Sequence, residues 1–461
     1  MFKQLRIKNF KSLADTVDLA IKPLTILVGH NSSGKSALFK ALLALKQTAE
    51  SRDTQSPLVV NGDYVELGSY GDFIYGHDLS RGFSIKAGLS GDNLFSDIVQ
   101  RALNSSYKAS EVPSHSDDIG FEVKFQYNQR TRQILVKTVE ATGKSKYLLR
   151  ADRSRKGVYK AKTPLSSGNI VLNKFYLLRP EELPDFESLS EAQLAEMKMS
   201  LIHFLLLTGF GQFIQQSLGR THYLGPLRAA PERFYIAGGE TPQDVGLAGE
   251  RAIDVLRMHS RLTGSSDESR KLVGNVEEWV KRFGFSLEVK FSQASSTVYE
   301  VLFIDPHTNI PVNIADVGFG ASQVLPVVVQ GFYSPPGSTF LIEQPEIHLH
   351  PKAQATLGDL LVELSKQDRQ VIVETHSEHI INRVQLRIAD ETIDRSDVAI
   401  YYFESTEQGT KIKEVDLTEY GQYVNETLPK DFFDENYTES YSLSKAIIAR
   451  KKREEKPAKA R

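Results

Sequence analysis

Residues 24–36 read LTILVGHNSSGKS, and the rest of the chain is best read outward from them. LTILVG is a continuous apolar run of the buried-strand kind, and it ends in glycine. GHNSSGKS, from Gly29 to Ser36, fits the pattern G-x-x-x-x-G-K-[ST] in full. Gly29 and Gly34 let the backbone curl, so that the N–H groups through His30, Asn31, Ser32 and Ser33 turn inward toward phosphate oxygens. Lys35 supplies positive charge for β- and γ-phosphates, and Ser36 supplies a hydroxyl for Mg²⁺. Ala37 continues into a segment, 35–49, where Leu38, Leu42 and Leu45, with Phe39 and Leu43 beside them, recur at helical spacing. Strand, glycine-bounded loop and helix are the context this loop requires, so residues 29–37 are expected to bind ATP with Mg²⁺.

Composition sets outer bounds. The chain has 461 residues, of which 40% are hydrophobic and 25% charged, an ordinary globular balance that predicts two or three domains. Cysteine is absent, which excludes disulfides, thiolate nucleophiles and cysteine zinc sites and predicts a reducing, cytoplasmic setting. The opening MFKQLRIKNFKS alternates polar and apolar residues and has no apolar core of a signal peptide. No stretch approaches the roughly 18 consecutive apolar residues of a membrane span. The formal net charge of −2 neither demands nor forbids a nucleic-acid partner.

Four regions are expected. Residues 1–180 form the first half of a nucleotide-binding head with a β-rich subdomain, because FSIKAGL, FEVKFQYN and QILVKTVEA alternate at period two. The polar stretch 104–119 reads as a loop. Residues 181–290 read as a helical lobe, with IHFLLLTGF as buried core rather than a membrane segment. Residues 291–425 return to strand–helix alternation, which implies a parallel sheet. Residues 426–461 form an extension ending in a basic tail. The fold class is therefore α/β: a P-loop ATPase head with a mixed sheet core, a β-rich N-terminal subdomain and an inserted helical lobe.

Three further pieces carry chemistry. TFLIEQPEIHLHP (339–351) is an apolar strand ending in Glu343, a carboxylate at the sheet edge where ligands bind, suited to hold Mg²⁺ with Ser36. VIVETHSEH (371–379) is another such strand, and it delivers His376 to where a γ-phosphate or attacking water would sit. DVGFGASQVLP (316–326) is a glycine-rich turn opening a helix, a potential anion site at Gly318 and Gly320. His348, His350, His376 and His379 have metal-like spacing, so zinc stands as the minor alternative.

These pieces, in this order, resemble the ABC-type ATPases of the RecF, SMC and OLD group, and in particular stand-alone bacterial AAA_21-like ATPases often found near defence or DNA-processing genes. LRIKNFKSL…LTILVGHNSSGKS resembles the group's N-terminal strands and P-loop, and IEQPEIHLHP its Walker B and D-loop, with His348–Pro351 in the D-loop. ETHS resembles its switch-histidine motif, and DVGFGASQ its signature motif. YLGPLRAAPERFY (223–235) and LPKDFFDE (428–435) are similar to the stand-alone subgroup. The resemblance implies a homodimer, or a higher homo-oligomer, with ATP held between copies, and a separate effector protein in anti-phage defence or genome maintenance.

Two departures bear on turnover. Gln344 stands where the group has a water-activating glutamate; it can orient water but not act as a base, so hydrolysis is expected either to be slow or to use Glu346 or His376 instead. Gly318 stands where the signature has serine, with Ser322 as the nearby hydroxyl. Arg228 and Arg233 are read either as phosphate or interface contacts or as structural salt bridges, and Asp63, Glu66 and Asp72 fall where the Q-loop region belongs, without an assignable glutamine. The alternatives are an OLD-like DNA nuclease, for which no strand-ending acid pair follows His376, and a DNA-binding ATPase of the SMC or RecF kind.

Overall fold

The run Leu24–Gly29 lies inside a six-stranded sheet. The spatial order is Thr221–Leu224, Thr339–Glu343, Gln370–Glu374, Leu24–Gly29, Val398–Thr406 and Gly409–Glu414. The first five strands are parallel, and the sixth returns antiparallel as a hairpin. Parallel pairing forces long crossovers, so strands distant in sequence end side by side at one edge. Glu343 lies directly opposite Glu374 in the register. The computed structural model describes residues 1–90, 118–143, 147–163, 167–180, 206–236, 241–260, 267–284, 286–291, 297–304, 308–317 and 319–424.

The sheet is apolar on both faces, and alternate residues serve two cores. Leu27, Leu341, Ile372 and Phe403 face one core, which also holds the helix Lys35–Glu50 and the N-terminal strands. Ile26, Val28, Ile342, Val373 and Ile400 face the other, packed against the helices Phe319–Tyr333, Pro351–Lys366 and Glu378–Ala389.

The N-terminal subdomain is a ten-stranded sheet, and its recorded pairings are antiparallel throughout. It begins with Phe2–Phe10 at the six-stranded sheet and runs outward through Phe83–Leu89, Ile119–Asn128 and Gln133–Thr142 to Leu177–Pro180. The helix Lys35–Glu50 is buried almost all round, including Lys46, Gln47 and Thr48, because it packs in the shared core between these layers. Its last turn is tied to the subdomain: buried Lys174 donates to Ala49 O at 2.9 Å and Ser51 O at 2.7 Å. A cation on the free carbonyls of a helix C-terminus satisfies them and complements the helix dipole.

The segment 181–290, read from sequence as helical, contains a strand of the core sheet, Thr221–Leu224. Four residues are too few for periodicity to reveal. Around it lie a helix at 206–219 and the helices Ala252–Ser260 and Asp267–Arg282. Leu206, Leu207 and Phe210 are buried, and among the described residues no helix is long and apolar enough to cross a membrane. A small sheet of Tyr235–Ile236, Val298–Ile304, Ser286–Phe291 and Pro311–Asn313 was not legible as a unit. Most of the expected loop 104–119 and all of 426–461, the basic tail included, lie outside the described residues.

His222, on that short strand, is 9% exposed, and its Nε2 has no hydrogen-bond partner among the described residues. Burial, with Lys46 nearby, lowers its pKa from 6.5 to about 4. A depressed histidine pKa means the unfolded chain binds a proton that the folded chain refuses. Its contribution is therefore intact above pH 6.5 and is lost as pH falls toward 4, up to about 3 kcal/mol. Urea unfolding of the wild type is expected to lose that much more stability between pH 7 and 4.5 than His222→Gln does. Equal losses would remove histidine burial as the cause.

Candidate nucleotide site

Gly29 and Gly34 both hold left-handed backbone, with φ of 141° and 100°. Neither position has room for a side chain. A Cβ on Gly29 would strike Phe403 O, and one on Gly34 would strike Thr410 Oγ1 and Ser12 Oγ. Thr410 fixes the loop from outside, since its hydroxyl donates to Ser33 O and pairs with Ser12 Oγ, each at 2.8 Å. The turn of the C-terminal hairpin thus clamps the N-terminal loop.

Asn31 through Ala37 line a cleft of about 550 Å³, together with Lys11, Ser12, Lys40, Asp72, Tyr75, His77, Gln344 and Glu374. Lys35 is 3% exposed, and its ammonium donates back to the carbonyls of Gly29 at 2.9 Å and His30 at 2.8 Å. Ser36 Oγ donates to Glu374 Oε2 at 2.8 Å, and Lys35 Nζ lies 3.9 Å from Glu374 Oε1. Glu374 is thus a site residue that sequence reading passed over. It heads the ETHS motif, and its strand-ending position beside Glu343 was the available signal.

Three carboxylates converge here. Glu343 accepts a hydrogen bond from Tyr223 Oη at 2.9 Å, and burial plus its neighbour Glu374 push its pKa up to about 7. Burial raises Glu374 and Glu346 as well. Glu346 Oε1 accepts from the backbone N–H of His376 at 2.7 Å, while its Oε2 is buried with no partner among the described residues. Burial lowers Lys35, against the pull of all three acids. Burial lowers Arg228 to about 10, so it stays charged; its Nη2 reaches Glu343 O at 3.4 Å.

Gln344 adopts φ 43°, donates its N–H to Glu374 O at 2.7 Å and faces the cleft. His376 is exposed, and partial desolvation with Lys35 and His30 nearby lowers its pKa, favouring the neutral ring. Gly320 opens the helix Phe319–Tyr333, where a Cβ would come 3.2 Å from His348 O, so the glycine turn abuts the D-loop segment. Gly318 lies outside the described residues. Ser322 is 6% exposed, which does not suit the signature hydroxyl it was read as a stand-in for. Arg233 is exposed and holds Asp316 through two contacts of 2.6 and 2.9 Å, an ion pair at the surface rather than the buried salt bridge read as one alternative.

The donors near the P-loop are hard oxygens: Ser36 Oγ and the carboxylates of Glu343 and Glu374. They suit Mg²⁺, which takes one or two protein oxygens and completes its shell with phosphate and water. Crowded buried acids with raised pKa values are what a divalent cation would relieve. Among the described residues no group of three or more His, Asp or Glu is arranged to hold a metal alone. His348, His350, His376 and His379 form no such group, and His350 caps the helix Pro351–Lys366 by accepting from Lys352 N.

The profile of the family described as "AAA domain, putative AbiEii toxin, Type IV TA system" (AAA_21) matches residues 24–382. The chain belongs to that family. Its AAA domain makes it a nucleotide-binding ATPase. Similar solved structures include an SMC head bound to the C-winged helix domain of ScpA, at 12% identity over 91% of this chain and 98% of that one, with a TM-score of 0.43. An SMC head from Thermotoga maritima gives 12% identity, 90% and 99% coverage, and 0.38. An Smc head with an extended coiled coil bound to the C-terminal domain of ScpA, derived from Pyrococcus furiosus, gives 12%, 90% and 96%, and 0.42. At these scores the likeness bears on neither activity nor partner. A comparison with proteins of curated function returned no match.

Gly34→Ala tests the clamp. A methyl group there meets Thr410 and Ser12 in a backbone region closed to alanine. Binding of a fluorescent ATP analogue is expected to fall at least tenfold with the circular dichroism spectrum kept. Undiminished binding would show that the loop has slack the structure does not reveal.

Proposed function

We propose that the chain binds Mg²⁺·ATP through Gly29–Ala37, uses the bound nucleotide to draw two copies together, and hydrolyses it slowly, as a switch that reports to a separate effector protein. The observation that carries this is the meeting of Lys35, Ser36, Glu343, Glu346 and Glu374 at one sheet edge beside the P-loop cleft. Lys35 would leave the loop carbonyls for phosphate oxygens, and Ser36 with Glu343 and Glu374 would hold the metal. The metal supplies charge neutralisation across the phosphates.

Slow turnover follows from Gln344. Its amide accepts no proton as a base, and it orients water at most. Glu346 supports a base role through its raised pKa and an oxygen without a hydrogen-bond partner among the described residues, and its other oxygen is fixed by the His376 N–H. His376, exposed and held near neutral, suits contact with a terminal phosphate or its water.

Self-association rests on the Gly320 turn and on the resemblance of DVGFGASQ to a signature motif. In that reading Gly318 and Gly320 would face the nucleotide of the second copy. A role in anti-phage defence or genome maintenance, a cytoplasmic setting, and a division into a head at 1–180 and 291–425 with a lobe between are parts of the same proposal. Nucleic acid enters only as an alternative partner.

Steady-state hydrolysis and mass with and without ATP test the reading. Lys35→Ala is expected to abolish binding, turnover and ATP-dependent association. Gln344→Glu is expected to raise turnover severalfold, and Glu346→Gln to lower it by tenfold or more. ATP binding that survives Lys35→Ala would sink the assignment, and a Gln344→Glu rate at or below wild type would sink the account of slow turnover.

A further inference from the structure

Arg228 and Arg233 sit five residues apart on the segment that follows the outer core strand Thr221–Leu224. They do different things. Arg233 is exposed and grips Asp316 in a fork, at the entry to the glycine turn and the helix Phe319–Tyr333. Arg228 points inward to the end of the Walker B strand, with Glu343, Glu346 and Tyr223 as its electrostatic neighbours. Its Nη2 donates to the backbone carbonyl of Glu343, at 3.4 Å. Nε and Nη1 are buried without a hydrogen-bond partner among the described residues.

Leaving two guanidinium donors buried and unsatisfied is costly, and such groups in a native site call for an explanation. Glu346 is one of its electrostatic neighbours, and Glu346 Oε2 is likewise buried without a hydrogen-bond partner among the described residues. Two complementary groups left unsatisfied on one charged cluster mark an arrangement that tightens when the site is engaged.

The geometry points to Arg228 as a positioning residue for hydrolysis: it fixes the turn from Glu343 to Glu346 and so aims the Glu346 carboxylate, while Arg233–Asp316 anchors the same segment at its far end. This rests on the nucleotide-site reading above and adds to it a residue that touches neither phosphate nor metal. The segment Gly225–Tyr235 then acts as a strut between the Walker B end and the glycine turn. Its planar fork is why arginine suits the place, since lysine offers charge without two fixed donors.

The experiment is steady-state ATPase kinetics with separate ATP-affinity measurements on the full chain. Arg228→Met is expected to lower kcat by about tenfold or more with ATP affinity within about threefold, and Arg228→Lys to recover part of kcat. Arg233→Asp is expected to lower kcat by a smaller factor, restored when combined with Asp316→Arg. Thermal unfolding monitors each variant. Should Arg228→Met fail to fold, Arg228→Lys and the charge-reversed pair still decide. Wild-type kcat in Arg228→Met, or no rescue by the reversed pair, overturns the strut. Parallel loss of kcat, affinity and melting temperature in Arg228→Lys reduces Arg228 to a structural role and overturns it too. A wild type without Lys35-dependent turnover removes the underlying site reading instead.

Discussion

Three carboxylates held in a buried edge of one sheet, with Lys35, Lys40 and Arg228 as the neighbouring cations, form the constraint on which this protein turns. Glu343, Glu346 and Glu374 each carry a pKa raised first by burial, and Glu374 raises Glu343 and Glu346 further. A lone buried carboxylate is expensive, and three in proximity persist only where cations or hydrogen bonds answer them. Here Ser36, Tyr223, the His376 N–H and Lys35 supply part of the answer. A divalent metal and its phosphates would supply the remainder, which is why such a site favours ligand over emptiness.

The rest of the fold holds that edge still. At the P-loop, Thr410 and Phe403 occupy the space that any side chain on Gly34 or Gly29 would need, and Thr410 bonds Ser33 O. The helix behind it cannot slide, because its core packing is nearly continuous and Lys174 caps its end. Gln370 adds a further tie, exchanging hydrogen bonds with the backbone of Phe2 at 2.9 and 2.6 Å and so joining the two sheets. Electrostatic preorganisation of this kind is effective because it is in place before the ligand arrives.

The two cores divide the labour. One joins the P-loop helix to the ten-stranded sheet, and the other joins the core sheet to the helices that carry the D-loop and glycine turn. The P-loop cleft therefore lies at the edge of the sheet whose two faces pack into these two cores. The segment bearing Arg228 and Arg233 spans from the sheet edge to the start of the glycine turn.

The sequence by itself determined the phosphate loop, because a P-loop is a local object: its glycines, lysine and serine work through backbone shape and lie within eight residues. It also determined the strands ending at Glu343 and Glu374 and the helices that follow them, since long apolar runs and helical periodicity are local signals. Only the tertiary structure decided which acids meet. Glu374 pairs with Ser36 across 338 residues, Tyr223 with Glu343 across 120, and Thr410 clamps Ser33 across 377. Parallel crossovers create those meetings, and a crossover leaves no periodic trace in the residues that it brings together. For the same reason the short strand Thr221–Leu224 was hidden in a segment read as helical: four residues acquire strand identity only from the neighbour they pair with.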